Sequence, residues 1–273
     1  MQPEPGATGR LAAARSFLFV PGDRPDRFEK AAASGADIVI LDLEDAVAAS
    51  AKDAARDAVG NWLDSDRSAL VRINAADTPW FEKDLELADR RGLLGFMLPK
   101  SEVGPALERV AALRPVVALI ESAAGVAGVQ SIAGVSGVVR LAFGTIDLAL
   151  DLATTSDEVL LSIGTQLVVA SRVTGIASPI DGVTPGFEDP APVEAAMRVA
   201  RDRGFGAKLC IHPAQVPAVR QAFQPSAAQL AHAKRIIDAD RASDGAAVAL
   251  DGQMVDKPIV ARAYCILADA GIS

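Results

Sequence analysis

The sequence has little of what a disulfide framework or a nucleic-acid interface requires. Its 273 residues include only two cysteines and two histidines, and the net charge is −8. Cys210 and Cys265 form neither a Cys-x-x-Cys pair nor a metal-ligand spacing, so we expect two reduced, buried thiols. Because the chain has no basic surplus to displace phosphate counterions, we expect no nucleic-acid partner.

Long uninterrupted apolar runs are also missing, although hydrophobic residues make up 50% of the chain. Glu121, Arg140 and Asp147 interrupt the longest runs before they reach membrane-spanning length. The N-terminus has no basic segment leading into an apolar one, which argues against a signal peptide. We therefore expect a cytoplasmic protein without membrane spans. The abundant small aliphatic side chains can fill the core of one large α/β domain or of two small ones.

Eight short, continuously apolar runs predict eight strands that are covered on both faces. These runs are Ser16–Val20, Asp37–Leu43, Ala69–Asn74, Gly95–Lys100, Val116–Ser122, Val138–Gly144, Gly175–Val183 and Gly206–His212. Segments with helical spacing of apolar residues lie between them, for example Lys52–Trp62, Trp80–Arg91 and Pro192–Arg203. Eight strand–helix units predict a (β/α)₈ TIM barrel. A doubly wound open sheet is the alternative, but no Gly-x-Gly-x-x-Gly turn follows the first strand.

The two ends of the chain depart from the repeating pattern. Residues 1–14, rich in Pro, Gly and Ala, predict a loose, flexible tail. The barrel is expected to span residues 15–222. Residues 223–273 contain more chain than one final barrel helix needs, and they predict a helical C-terminal arm or lid.

Polar residues end nearly every predicted strand, where the active site of such a barrel lies. Glu121 and Asp147 follow two of the apolar runs, and two neighbouring carboxylates leave most of a Mg²⁺ shell open for water and substrate. Asp147 is equally a candidate for the cap of the next helix. Glu is a poor N-cap, so the capping interpretation suits Glu121 less well.

Other strand-end residues have two interpretations each. Arg72 lies between apolar neighbours and needs an anionic partner, either an internal carboxylate or a substrate carboxylate. Asp42, Glu44 and Asp45 are too close together to remain unpaired, and Lys52 and Arg56 are candidates to pair with them. His212 is a candidate acid or base, or a structural residue that holds its turn through ring hydrogen bonds.

The ordered motifs of the chain resemble those of the citrate lyase β-subunit family of CoA-ester lyases, within the wider HpcH/HpaI aldolase superfamily. The resemblance runs from about residue 15 to 270. It rests on the segments Arg15–Gly22, Leu41–Val47, Val71–Asn74, Leu98–Lys100, Ile120–Ser122, Pro179–Val183, Cys210–Pro213 and Asp251–Asp256.

The resemblance implies a Mg²⁺-dependent carbon–carbon lyase that forms homotrimers or assemblies of trimers. It implies that Glu121 and Asp147 bind the metal ion and that Arg72 holds the substrate carboxylate. Asp256, in the C-terminal arm, matches a catalytic aspartate that a neighbouring subunit supplies. Phe19, Arg24 and Lys30 match positions that contact CoA. The expected substrate-binding set is Arg72, Glu121, Glu44, Asp45 and Asp181.

The expected reaction is the reversible cleavage of a 3-hydroxyacyl-CoA, such as malyl-, citramalyl- or citryl-CoA, to an acyl-CoA and a 2-oxo acid. Two other activities stay open. One is a class II aldolase that acts on free hydroxy-oxo acids without CoA. The other is a β subunit of a multi-subunit citrate lyase that acts on an acyl-carrier thioester.

Overall fold

The computed structural model describes residues 6–243 and 247–272. The chain divides into two compact units, Met1–Val219 and Arg220–Ser273. The predicted boundary lay between residues 222 and 223. Among the described residues, no helix combines the length and apolar character that a bilayer-spanning segment needs.

Eight parallel strands close into a barrel in chain order, so the TIM-barrel prediction is confirmed and the open sheet is wrong. The strands are β1 (Ser16–Pro21), β2 (Ile38–Asp42), β3 (Ala69–Arg72), β4 (Leu93–Leu98), β5 (Val116–Ile120), β6 (Val138–Phe143), β7 (Ala177–Asp181) and β8 (Ala207–Cys210). β1 pairs with both β2 and β8, which closes the cylinder. All eight predicted strands exist. β1 is one residue longer than predicted, β4 begins and ends two residues earlier, and the other six are shorter by one or two residues at one or both ends.

Helices cover the outside of the barrel. Those of the first unit are α1 (Ala7–Ala13), α2 (Phe28–Ala32), α3 (Lys52–Leu63), α4 (Phe81–Leu85), α5 (Pro105–Leu113), α6 (Ala123–Ala127), α7 (Val129–Ala133), α8 (Thr145–Asp151), α9 (Asp157–Thr174), α10 (Ala191–Asp202) and α11 (Val216–Ala222, which runs past the unit boundary). Short 3₁₀ turns lie at Pro25–Arg27, Ala49–Ala51, Glu86–Asp89 and Pro213–Gln215.

The second unit is a helix pair with a β-hairpin. It contains α12 (Ala227–Ala242), β9 (Val248–Leu250), β10 (Gln253–Val255) and α13 (Lys257–Asp269). β9 and β10 pair antiparallel. Its small core includes Ala233, Ile236, Val255 and Val260. Cys265, on α13, is exposed, so the expectation that both cysteines are buried holds for Cys210 only.

Helix α1 corrects the prediction of a loose tail over residues 1–14; residues 1–5 lie outside the described part of the chain. Leu11 of α1 is fully buried in the cluster that fills the barrel interior. Arg140 of β6 fixes the end of the helix, because its Nη1 donates to the carbonyl oxygens of Leu11 at 3.0 Å and Ala14 at 2.7 Å. A cation at a helix C-terminus is favourable because the last carbonyls carry partial negative charge. The helix therefore plugs the end of the barrel where the strands begin.

Because Leu11 of α1 packs into the barrel interior, we predict that truncating its side chain destabilises the protein. Leu11→Ala removes a fully buried side chain, which typically costs about 2–5 kcal/mol of unfolding free energy. The matched control is Leu113→Ala, at a leucine that is 46% exposed on α5. Urea unfolding of the two variants makes the comparison. Equal, small shifts of the two midpoints would show that residues 7–13 do not pack into the barrel.

Candidate active site

Strand alternation decides which strand-end residues point into the barrel mouth. Successive strand side chains point to opposite faces of the sheet. The interior cluster contains Ile40, Leu70 and Leu119. Asp42 and Arg72 lie two residues further along the same strands, and Glu121 lies two residues beyond Leu119, directly after β5, so their side chains share the inward face. The structure therefore brings Asp42 together with the predicted site residues Arg72 and Glu121 at the C-terminal ends of β2, β3 and β5.

The partner of Arg72 is an internal carboxylate. Its Nε and Nη2 donate to the two carboxylate oxygens of Asp42 at 2.7 and 2.6 Å. Burial lowers the pKa of Arg72, but the hydrogen bond and charge of Asp42 more than offset this and hold it above its ordinary value. The Arg72 guanidinium also lies 4.8 Å from the centre of the Phe19 ring. Only part of its donor capacity is left for a substrate carboxylate.

Glu44 is the second carboxylate at Arg72. Its Oε2 lies 2.9 Å from Arg72 Nη1, but it receives no well-aligned hydrogen bond in spite of its burial. Burial raises the pKa of Glu44 to about 7; the Arg72 charge opposes this shift, and Asp45 and Asp42 add to it. Asp45 itself is exposed. The Oε2 atom of buried Glu44 therefore lacks a hydrogen-bond donor.

Glu121 is held between two backbone segments. Its Oε1 accepts the backbone N–H of Lys100 at 2.8 Å. Lys100 adopts a left-handed conformation with φ 45°, which is uncommon for a residue other than glycine and marks local strain. On the other side, a Cβ atom at Gly144 would overlap the Glu121 side chain. Glycine at position 144 is therefore required for Glu121 to occupy this place.

The environment of Glu121 is strongly unfavourable for an isolated carboxylate. Burial raises the pKa of Glu121 to about 8; the Lys100 N–H opposes this, whereas the charges of Glu44 and Asp147 raise it further. A divalent cation at this position would offset both the desolvation and the repulsion between carboxylates.

Asp147 is exposed in the first turn of α8. The N-cap residue of this helix is Gly144, and no side chain caps it, so the capping interpretation of Asp147 is wrong. The charge of its carboxylate adds to the raised pKa of Glu121, and its side chain is exposed to solvent. This arrangement suits a ligand that reaches an ion from the open side of the mouth.

These residues fit a magnesium site of the open kind. Mg²⁺ is commonly held by one or two carboxylates and keeps several waters or substrate oxygens. Within residues 6–243 and 247–272, no group of three or more His, Cys, Asp or Glu side chains is placed to chelate a metal ion. Glu121 and Asp147 would therefore hold the ion with help from water and substrate.

A pocket of about 290 Å³ lies beside the end of β1, on the same unit. It is lined by Leu18, Phe19, Val20, Pro21, Arg27, Lys30, Ala31, Ile211, His212 and Pro213. Phe19 and Lys30, two of the predicted CoA contacts, lie together here. Arg24, the third, does not line the pocket and is paired with Asp26 at 2.9 Å. Arg27, which sequence reasoning missed, lines the pocket instead.

Asp181 is not brought together with the other site residues. Ile180 belongs to the interior cluster, so the next side chain along β7 points to the helix side of the sheet. There Asp181 accepts a hydrogen bond from Lys208 Nζ at 2.6 Å, and it lines a groove with residues of α9 and α10. Asp181 therefore contacts Lys208, while its predicted substrate contact stays untested.

Asp256 lies in the second unit and caps a helix. It is the N-cap residue of α13, and its Oδ1 accepts the backbone N–H of Ile259 at 3.3 Å. Its side chain is exposed, so one carboxylate oxygen is open to other contacts. The catalytic role expected from the resemblance stays a prediction.

Lys52 does not form the ion pair with Asp42, Glu44 or Asp45 for which the sequence made it a candidate. Instead of pairing with the acidic carboxylates, its buried ammonium donates to the carbonyl oxygens of Leu43 and Glu44, each at 2.7 Å. Burial lowers the pKa of Lys52, and the nearby carboxylates oppose this shift. Lys52 therefore fixes the backbone that presents Glu44. Arg56 also has other partners: it donates hydrogen bonds to the carboxylates of Asp84 at 2.7 Å and Asp53 at 2.6 Å.

His212 holds its own turn, as one of its two interpretations predicted. Its Nδ1 accepts the backbone N–H of Ala214 at 3.2 Å. Its ring stacks on Phe187 with centroids 4.2 Å apart and an interplanar angle of 19°.

Comparison with known proteins places the chain among well-defined relatives. The model of the HpcH/HpaI aldolase/citrate lyase family matches residues 15–213. A citrate lyase subunit beta-like protein of Mycobacterium tuberculosis is 38% identical over 269 residues, covering 95% of this chain and 97% of that one. A (3S)-malyl-CoA thioesterase of Cereibacter sphaeroides is 35% identical over 270 residues, covering 94% of each chain.

The fold is also similar to solved structures. The crystal structure of the protein CitE from Mycobacterium tuberculosis, in complex with magnesium, acetoacetate and coenzyme A, superposes with a TM-score of 0.84. It is 37% identical, and the match covers 95% of this chain and 99% of that chain.

The buried state of Glu121 predicts a pH dependence of stability in the absence of divalent ions. Because the pKa rises from 4.5 in the unfolded chain to about 8 in the fold, the folded state keeps the proton between these values. The contribution of Glu121 to the free energy of unfolding is therefore greatest below pH 4.5. It decreases by an amount on the order of 4 kcal/mol as the pH rises toward 8.

Glu121→Gln is expected to remove most of this loss, measured as urea midpoints at pH 5 and pH 8 in EDTA. Glu108→Gln, at an exposed glutamate of α5, is the control and should behave like the wild type. Mg²⁺ should stabilise the wild type at pH 8 but not Glu121→Gln. Identical pH profiles for wild type and Glu121→Gln would contradict the assignment.

Proposed function

The chain belongs to the HpcH/HpaI aldolase/citrate lyase family and is a lyase, and from this premise we propose that it cleaves a 3-hydroxyacyl-CoA in a Mg²⁺-dependent reaction. The products are an acyl-CoA and a 2-oxo acid. The observation that carries the proposal is the arrangement of the barrel mouth, where buried Glu44 and Glu121 lie near the half-buried Arg72. The CoA complex of the M. tuberculosis protein CitE, which includes magnesium and acetoacetate, supports the same ligands here.

The bond changes in the cleavage direction are those of a retro-Claisen reaction. The C2–C3 bond breaks, and its electron pair moves to C2 next to the thioester carbonyl. The C3 hydroxyl loses its proton, and C3 becomes the carbonyl carbon of the 2-oxo acid. C2 then takes up a proton and becomes the alkyl carbon of the acyl-CoA.

The residues of the mouth divide these tasks. Glu121 and Asp147 hold Mg²⁺, which when bound supplies a Lewis acid for the oxygens of the oxo-acid half. Arg72 donates the hydrogen bonds that remain free beside Asp42 to the substrate carboxylate, and Glu44 orients the Arg72 guanidinium at 2.9 Å. The other two predicted substrate contacts are Asp45, which is exposed, and Asp181, which accepts a hydrogen bond from Lys208.

Asp256 is proposed to transfer the proton at C2. It returns the proton in cleavage and removes it in condensation, as a general acid and base. We propose that a neighbouring copy of the chain supplies this residue within a homotrimer or an assembly of trimers. The arm would exclude water from the mouth when it closes.

The first test is a screen of malyl-, citramalyl- and citryl-CoA with and without Mg²⁺, in which the 2-oxo acid is measured. Cleavage of at least one ester should require the metal ion. Asp147→Ala should lower kcat/KM roughly 100-fold or more, because charge stabilisation is usually the largest catalytic contribution. Glu158→Ala, at an exposed acid of α9, is the matched control and should behave like the wild type.

The same screen, extended to free hydroxy-oxo acids and to an acyl-carrier thioester, has outcomes that would replace the proposal. Cleavage of free hydroxy-oxo acids but of no CoA ester would identify a class II aldolase. Activity only with an acyl-carrier thioester and partner subunits would identify a citrate lyase β subunit. Full Mg²⁺-dependent activity of Asp147→Ala would remove this residue from the metal site.

Hydrolysis of the same thioester is a second candidate activity, favoured by the relatives named (3S)-malyl-CoA thioesterase. It is distinguished in the same screen, because hydrolysis releases free CoA and the intact hydroxy acid, with no 2-oxo acid.

The origin of Asp256 is tested by mixing two inactive variants. Asp256→Ala and Arg72→Ala are each expected to be inactive in homogeneous assemblies. If a neighbouring copy supplies Asp256, mixed assemblies contain some sites with both residues intact, so activity should return after unfolding and refolding together. No recovery in verified mixed assemblies would show that each chain completes its own site.

A further inference from the structure

Two buried cations lie on one face of α3 and take no part in the bond changes of the proposed reaction. Lys52 and Arg56 are four residues apart, so their side chains leave the helix on the same side, one turn apart. They are only 6% and 8% exposed. Burying a charged side chain is costly unless hydrogen bonds or an opposite charge compensate for it. The partners of these two cations therefore indicate which parts of the structure they hold.

Arg56 connects α3 to the chain that leaves β3. Its Nε donates to Oδ1 of Asp84 at 2.7 Å, and Asp84 is fully buried. The other oxygen of Asp84, Oδ2, accepts the backbone N–H of Asn74 at 2.8 Å and the Nδ2 of Asn74 at 2.6 Å. Asn74 lies two residues beyond Arg72. Asp84 thus links α3 to the strand end that carries Arg72.

Lys52 connects the same helix to the loop that follows β2. Its ammonium donates to the carbonyl oxygens of Leu43 and Glu44, each at 2.7 Å. The pairing between β2 and β3 ends at Asp42 and Arg72, so it does not reach Glu44. The position of Glu44 therefore depends on bonds outside the sheet, and the bonds from Lys52 are among them.

These contacts form a closed ring, which we call the positioning ring. Its members, in order, are Arg72, Asn74, Asp84, Arg56, Lys52 and Glu44. The ring closes where Oε2 of Glu44 lies 2.9 Å from Nη1 of Arg72. A displacement of α3 relative to β3 changes this separation. It therefore also changes the direction in which the Arg72 guanidinium presents its remaining donors.

We propose that Lys52, Arg56 and Asp84 are positioning residues that set the separation of Glu44 and Arg72. Through it they determine the affinity of the barrel mouth for the carboxylate of the 2-oxo acid. The three residues act through Glu44 and Arg72 and do not contact the substrate. The inference rests on the proposed function, in which Arg72 binds that carboxylate. It gives a purpose to three buried charged side chains that the reaction itself does not use.

The condensation direction separates the two halves of the substrate. Acetyl-CoA and the 2-oxo acid then have separate KM values, and the acid is the one among glyoxylate, pyruvate and oxaloacetate that the wild type uses. Because Arg72 is proposed to bind the acid, displacing it should raise the KM for the acid alone. A variant that merely folds less well contains less active protein, which lowers the apparent kcat and leaves both KM values unchanged.

Two variants of Arg56 test its bond to Asp84. Both remove the guanidinium charge, but glutamine carries its amide nitrogen at the position of the Arg56 Nε atom, whereas methionine has no donor there. We expect Arg56→Met to raise the KM for the 2-oxo acid about tenfold, because small displacements of a binding group have large effects. Arg56→Gln keeps the hydrogen bond and should stay within about threefold of the wild type.

Lys52→Met tests the other side of the positioning ring, and it keeps the inference testable if the Arg56 variants do not fold. It removes the donor to the Leu43 and Glu44 carbonyl oxygens and leaves the pair of Arg56 and Asp84 intact. The KM for the 2-oxo acid should again rise about tenfold, with no change in the KM for acetyl-CoA.

Glu82→Gln is the matched control. This exposed acid of α4 pairs with Arg109 at 2.6 Å and lies outside the positioning ring, so both KM values should equal those of the wild type. An equal rise of both KM values in the methionine variants would overturn the inference. An unchanged KM for the 2-oxo acid in both of them would overturn it as well.

The two proposals fail in different ways. If the wild type forms and cleaves a CoA ester and the methionine variants keep its KM for the 2-oxo acid, the positioning role is wrong and the proposed function stands. If the wild type acts on no CoA ester in either direction, the proposed function is wrong and the positioning role falls with it.

Discussion

The crowding of negative charge around Arg72 is the constraint on which the rest of the site depends. Asp42 takes two of the donors of Arg72, at 2.7 and 2.6 Å, and so neutralises most of its charge. Ionising Glu44 and Glu121 beside Asp147 is then unfavourable, and burial together with the neighbouring carboxylates raises their pKa values to about 7 and about 8. Buried carboxylates are costly unless they are paired or bind a metal ion. The carboxylates of the mouth are therefore suited to binding a cation, and Arg72 is suited to binding an anionic substrate.

The backbone around the mouth has the conformations that such a site needs. Gly144 leaves room for Glu121, and the left-handed Lys100 directs its N–H toward the same carboxylate. Lys52 donates hydrogen bonds to the carbonyl oxygens of Leu43 and Glu44 and so fixes the backbone there. The pocket beside β1 has the opposite charge, because Arg27 and Lys30 line it. An acidic mouth and a basic pocket on the same unit are compatible with the CoA thioester that we propose as the substrate.

The sequence predicted the eight strands well because each is a short apolar run that local pattern alone identifies. It failed at α1, where Ala and Gly suggested a loose tail, because the helix depends on Leu11 in the barrel interior and on Arg140, 129 residues from Leu11. It also left the partner of Arg72 open, and it did not show that the side chain of Asp181 contacts Lys208. Strand register decides which contacts these two side chains make, since a shift of one residue moves a side chain to the other face of the sheet. Nothing local distinguishes Arg27 from Arg24; only the fold shows that Arg27 lines the pocket beside β1 and that Arg24 pairs with Asp26.

The metal pair is the central claim, and anomalous diffraction from crystals grown with Mn²⁺ in place of Mg²⁺ tests it most directly. We expect one strong anomalous peak within coordination distance of the carboxylate oxygens of both Glu121 and Asp147. The remaining ligands should be waters or, with a 2-oxo acid present, substrate oxygens. A peak bound to other carboxylates, or no peak between these two, would contradict the account.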